Sequence, residues 1–160
     1  KPRTDSSKEE RIPIMKKRFW LVLLLIVGLM LYLEPFRGTP PEPDVSVNGT
    51  DIAVTSGSSC WNSLLNSKCI DLSDSTPLDM TAEQTPTVVK PSQKIEVAFN
   101  DGPAPERIKA EQWQKNDTKK TIRLKNEQIT APDQKGVYTY HVYAWWKKGD
   151  GNVAFPVQVK

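Results

Sequence analysis

Hydrophobic and polar positions divide the chain into stretches of different texture. Phe19 to Leu33 is apolar without interruption, Pro35 to Pro43 is rich in proline, and residues 44–160 alternate in short segments. In the last stretch, Val45-Ser46-Val47 and Thr50-Asp51-Ile52-Ala53-Val54 flank Asn48-Gly49, a pair that readily takes the positive φ angles of a tight hairpin. Thr87-Val88-Val89 and Lys94-Ile95-Glu96-Val97-Ala98-Phe99 read as two more strands, with Ile95, Val97 and Phe99 on one face. Arg107 to Trp113 and Lys119 to Lys125 are further candidates. Gly136 to Trp146 and Val153 to Val159, joined by the turn Lys147-Lys148-Gly149-Asp150-Gly151, predict a final hairpin.

Seven or eight short strands separated by Gly, Pro, Asn and Asp clusters, with little helical periodicity, predict an all-β, antiparallel sandwich. Asp133-Gln134-Lys135-Gly136-Val137-Tyr138 has the flavour of the corner that opens the penultimate strand of immunoglobulin-like domains, where a tyrosine hydroxyl bonds back to nearby backbone. No cysteine follows Tyr138 at the usual place, and the aspartate lies one residue further away than in the common form. The likeness is therefore one of architecture.

The apolar run sets the organisation around this domain. Met15-Lys16-Lys17-Arg18 precedes it and Glu34-Pro35 comes after, the charge order that retains the N-terminal side and delivers the C-terminal side across a membrane. Fifteen helical residues span only about 22 Å against a hydrocarbon core of about 30 Å, which suits a signal peptide. The large residues Leu31-Tyr32-Leu33 before Glu34-Pro35 make a poor cleavage site, and Lys16, Lys17, Arg18, Trp20 and Tyr32 suit an anchor's two ends. The expected organisation is a polar basic tail at 1–18, a transmembrane signal anchor (or signal peptide) at 19–33, a Pro-rich stalk at 34–43 and an extracytoplasmic β-sandwich at 44–160. Such a protein is single-pass at the cell membrane, or secreted if the segment is cleaved. Met15 reads as a natural start, with residues 1–14 an extension or tail.

Charge follows this topology. Residues 1–18 carry seven Lys/Arg and three Asp/Glu of the 22 and 19 in the chain, so residues 19–160 come to −1. A nearly neutral folded domain argues against a nucleic-acid surface.

Cys60 and Cys69 are the two cysteines, and across a membrane two thiols so close in sequence are expected to pair. Asn62 to Leu65 is read as a helical turn between them, with Trp61 beneath the loop. Two cysteines and the solitary His141 do not make a metal site. Asp71, Asp74 and Asp79 lack the spacing of a calcium loop, and no cofactor is expected. Asn48-Gly49-Thr50 and Asn116-Asp117-Thr118 fit the glycosylation pattern, which matters only in a eukaryotic host.

The pattern Gly57-Ser58-Ser59-Cys60-Trp61, a second cysteine shortly after, Lys94 to Phe99, and the ending Gly136-Val137-Tyr138-Thr139-Tyr140, Ala144-Trp145-Trp146 and Phe155-Pro156-Val157 resembles small uncharacterised cell-envelope proteins of Gram-positive bacteria. The resemblance covers most of residues 45–160. It implies an extracytoplasmic β domain and no particular reaction.

The sharpest functional candidates lie on the strand Gly136 to Trp146. Tyr138, Val142, Ala144 and Trp146 are assigned to the core, which leaves His141, Tyr143 and Trp145 near solvent. Exposed rings in a row can stack on sugars or seat a partner's side chain, and Lys147 and Lys148 add a handle for anionic polymers. His141 has no nucleophile signature around it, so the expected function is non-enzymatic binding in the cell envelope. A cell-wall polymer is one expected partner. A membrane protein, with the chain as its sensory or regulatory ectodomain, is the alternative, and a small hydrolase is a third reading.

Overall fold

The computed structural model describes residues 11–33, 37–72, 76–115 and 118–160. Asp74 and the Asn116-Asp117-Thr118 acceptor, both candidates from sequence, fall wholly or partly outside them. The chain divides into two compact units, Lys1–Phe36 and Arg37–Lys160. The first contains helix α1 (Arg11–Leu33), on which the described apolar side chains of the run from Phe19 are exposed. Among the described residues, no helix is long and apolar enough to cross a membrane.

The second unit is a β-sandwich whose elements come in the order β1 (Asp44–Val47), β2 (Thr50–Asp51), β3 (Thr55–Asn62), β4 (Ser67–Ile70), the single-turn α2 (Pro77–Met80), β5 (Thr87–Val89), β6 (Lys94–Ala98), β7 (Arg107–Trp113), β8 (Lys119–Ile122), β9 (Gln128–Thr130), β10 (Gly136–Trp146) and β11 (Gly149–Val159). One sheet has the order β2-β1-β6-β9. The other runs β4-β3-β11-β10-β7-β8, with β5 added in parallel to the far half of β11.

Local chemistry accounts for these elements. Asn48 and Gly49 both take positive φ, 49° and 74°, and turn β1 into β2. α2 starts with a capping box: Asp79 N–H donates to the Thr76 hydroxyl, and Thr76 N–H donates to the Asp79 carboxylate. That capping also holds the Asp79 carboxyl below its ordinary range. Tyr138 makes the expected corner, its hydroxyl donating to Gln134 O at 2.9 Å. Alternation then does the packing. Val45, Ile95, Val97 and Ile129 of one sheet meet Tyr140, Val142, Phe155 and Val157 of the other, nearly all of them without exposure. Each such side chain contributes about 1.5–3 kcal/mol of transfer free energy.

A second apolar cluster closes one end. Trp61 and Phe99 pack edge-on against Trp146, with ring centroids 5.6 and 5.5 Å away. Trp146 donates its indole N–H to Pro103 O at 2.7 Å.

The structure departs from the sequence expectations in several places. Thr55–Asn62 is a strand, and the residues after it form a hairpin turn where a helical turn is expected: Cys60 and Cys69 are cross-strand partners, joined by the expected disulfide. β11 begins at Gly149 because Trp146 and Gly149 pair directly, so Lys147-Lys148 alone make the turn. β8 ends at Ile122, short of Lys125. The segment read as a stalk packs onto the domain from Arg37 onward. Pro41 and Pro43 are buried, Arg37 pairs with Asp101 at 3.1 Å, and Ser56 donates to the Glu42 carboxylate.

Candidate functional site

The inward assignment on β10 holds: Tyr138, Val142, Ala144 and Trp146 are all buried, as is Tyr140. The outer face is less open than the alternation suggests. Tyr143 and Trp145 are half-buried, and His141 is only 7 % exposed, which corrects its expected place near solvent. α2 lies against β10 and β11, and the Thr81 hydroxyl is 3.4 Å from that of Thr139. Thr139, Ala154 and Pro156 are buried beside His141 on the same face.

His141 is fixed from the side by β11. Asn152 donates through Nδ2 to Ser58 O at 2.8 Å, which leaves its Oδ1 as acceptor for His141 Nε2–H, also at 2.8 Å. The Nδ1 atom of His141 is then a buried acceptor with no partner among the described residues. Burial holds the imidazole below its ordinary pKa, against the Asn152 hydrogen bond and the nearby Glu111 charge, which favour protonation. Neither ring nitrogen is presented to an outside substrate.

This fixation depends on Gly57. A β-carbon there would lie 2.0 Å from Asn152 Oδ1, so only glycine lets Asn152 reach both partners. The register between β3 and β11 shifts at this point, between Gly151 and Val153.

From His141 a row of rings runs along the strand. The His141 and Tyr143 centroids are 4.1 Å apart, and Tyr143 stacks on Trp145 at 6.0 Å with an interplanar angle of 12°. Strand β7 supplies cations in register. Arg107 pairs with Trp145 and lies 4.0 Å from its ring centroid, while Lys109 pairs with Tyr143 and lies 5.4 Å from its ring. On β8, Lys119 lies 4.9 Å from the Trp113 ring. Each contact contributes on the order of 0.5–1 kcal/mol and orients a flexible side chain along the row.

One carboxylate sits within this basic row. Glu111, 5 % exposed and directly across from His141, accepts from Lys109 Nζ at 2.8 Å and from Trp113 Nε1 at 3.2 Å. Burial opposes its ionisation, and these two donors outweigh that cost, so its pKa lies below the ordinary range. Burial and the Glu111 charge push the Tyr143 hydroxyl up.

The face therefore differs in kind from an open platform for sugars. The half-buried rings of Tyr143 and Trp145 lie against one another and against Lys109 and Arg107, so cations cover part of the row. Arg107, Lys109, Trp113 and Lys119 were not singled out from sequence, although Arg107, Lys109, Glu111 and Trp113 alternate along an expected strand. Lys147, which was singled out, is 88 % exposed on the turn beyond the row and 3.9 Å from Glu106. Lys148 is half-buried in the same turn, its carbonyl accepting from Asn62 N–H.

A small cavity of about 90 Å³ lies elsewhere, between Pro40 to Pro43 and the inner residues Val142, Ala144 and Trp146. Its lining is mostly apolar, and among the described residues no group of three metal-ligating side chains is found. The second unit is thus an all-β sandwich with a disulfide-braced hairpin and a basic, aromatic outer face. Compared with known proteins, the chain matches no family model, no curated protein and no solved structure.

Proposed function

We propose that this chain is a non-enzymatic binding module of the cell envelope, tethered to the membrane through Phe19–Leu33, that holds an anionic polymer along the β10–β7 face. The observation that carries this reading is the line of Arg107, Lys109 and Lys119 held over Trp145, Tyr143 and Trp113. Cations oriented in advance by ring contacts lose less freedom when they meet phosphate or carboxylate groups. The confinement of His141 argues against hydrolysis, since its nitrogens are engaged or buried.

The finer architecture is read as immunoglobulin-like. Supporting it are the sheet order β11-β10-β7-β8, the facing pair β6-β9, the short β5 parallel to β11, and the Tyr138 corner. The tether is inferred from the apolar run with its basic flank, and the cell-envelope setting from the sequence resemblance.

The test is retention of the Arg37–Lys160 unit on isolated wall material, at low and high salt. All described strands and the described core lie within this unit, which supports its folding by itself. Retention that falls with salt and is lost in an Arg107→Ala/Lys109→Ala variant supports the reading. Retention that ignores both substitutions, or none by the wild type, overturns it and turns the search to a membrane protein partner.

A further inference from the structure

The β3–β4 hairpin carries apolar side chains that the fold does not use. Leu64 and Leu65, at its tip, are 67 % and 79 % exposed. They do not belong to a loose loop. Ser63 N–H donates to Asn66 O at 2.8 Å, the Ser63 hydroxyl donates to Asn66 Oδ1 at 2.8 Å, and Ser67 donates to Asn62 Oδ1. Below them the Cys60–Cys69 disulfide and the buried Trp61 hold the hairpin base. Two leucines are thus displayed to solvent on a braced support.

Two exposed lysines, Lys68 and Lys147, lie at this end of the domain. Lys68 lies just beyond the tip on β4, and Asn62 N–H donates to Lys148 O, which sets the Lys147-Lys148 turn beside the hairpin base. At this end Glu106 lies 3.9 Å from Lys147, Asp101 pairs with Arg37, and the exposed Asp150 stands across from Cys60 on β11. Arg37 is also where the chain enters the β unit. Its contact with Asp101 ties that point to the loop that reaches Trp146 through Pro103, at the same end of the sandwich.

We propose that this end of the domain, Leu64 and Leu65 together with Lys68 and Lys147, seats on the surface of an anionic lipid bilayer. Apolar side chains enter the headgroup boundary while ammonium groups meet lipid phosphates. The bracing means that little order is gained on contact, so little entropy is lost. The place where the chain enters the unit supplies the proximity. That point alone rests on the proposed tether, and the lipid contact is tested without it.

The experiment is flotation of the Arg37–Lys160 unit with vesicles of phosphatidylglycerol and phosphatidylcholine, and with vesicles of phosphatidylcholine alone. Wild type is expected to float with the anionic vesicles only. Leu64→Ser/Leu65→Ser should lower the partition coefficient on the order of tenfold or more, from the transfer free energy of two leucines. Lys68→Gln/Lys147→Gln should lower it about fivefold per lysine. Urea unfolding of each variant checks that the core is intact. Arg107→Ala/Lys109→Ala should float as wild type does, which separates this contact from polymer binding. No flotation by wild type, flotation unchanged in the leucine variant, or a leucine-dependent dimer without vesicles would each overturn the proposal.

Discussion

Replacing Gly57 by alanine tests the support beneath the ring row. The new methyl group would lie 2.0 Å from Asn152 Oδ1, 3.0 Å from its Cγ and 2.9 Å from Met80 Cε. The end of Met80 can swing away. Asn152 cannot move without giving up both its bond to Ser58 O and its bond to His141, which would leave two ring nitrogens buried without partners. Overpacking costs about 1–3 kcal/mol and each lost hydrogen bond about 1 kcal/mol. Alanine restricts the unfolded chain and returns about 0.4–1 kcal/mol. The net loss is roughly 2–4 kcal/mol, to be read from urea unfolding of the Arg37–Lys160 unit by its tryptophan fluorescence. Asn152→Ala removes the atom with which the methyl collides. The double variant should therefore cost little more than Asn152→Ala alone, a coupling of about 2–4 kcal/mol in the cycle. A Gly57→Ala variant within about 0.5 kcal/mol of wild type, or strictly additive losses, would refute the reasoning.

Two further outcomes are expected from the same structure. Tyr138→Phe removes the hydroxyl bonded to Gln134 O and should cost about 1 kcal/mol in the same unfolding assay, with the slope against denaturant unchanged. His141 has a folded pKa below its unfolded value, so its contribution is fully present above about pH 6.5 and is lost as pH falls towards the folded pKa. The loss is about 1.4 kcal/mol for every tenfold difference in proton affinity. His141→Gln should flatten that part of the stability–pH curve, and an unchanged slope between wild type and variant would show that His141 does not carry it.

The sequence displays its strands wherever one face is apolar. Lys94 to Ala98 alternates cleanly because one face of it is core, Gly136 to Trp146 places its inward residues at every second position although its outer face is partly covered, and the Asn48-Gly49 turn declares itself through the backbone angles it permits. β3 is hidden for the opposite reason. In Thr55–Asn62 the buried positions are Gly57 and Trp61, four apart, with the irregular pairing against β11 between them, so no period of two survives. The outer face was half legible. Its rings could be assigned to one side of β10, but α2 and Thr81, which lies against Thr139 beside His141, come about sixty residues earlier in the chain. The cations over the rings come from β7 and β8, and their register with β10 is a tertiary fact.

Strand β11 serves two partners on one edge. β3 pairs with it antiparallel up to Ala154, β5 pairs with it in parallel from Val157, and Pro156, which has no N–H to offer, falls in the gap. For a chain made from its N-terminus, this sets an order of events. Thr55 and Thr87 wait for Ala154 and Val157, so neither the disulfide hairpin nor β5 can join its sheet until almost all of the domain has been synthesised. These long-range pairings place the domain among slow folders and leave the strand edges open until late in synthesis. In a growing chain, the ring row and its support therefore come into being together, when the last strand arrives.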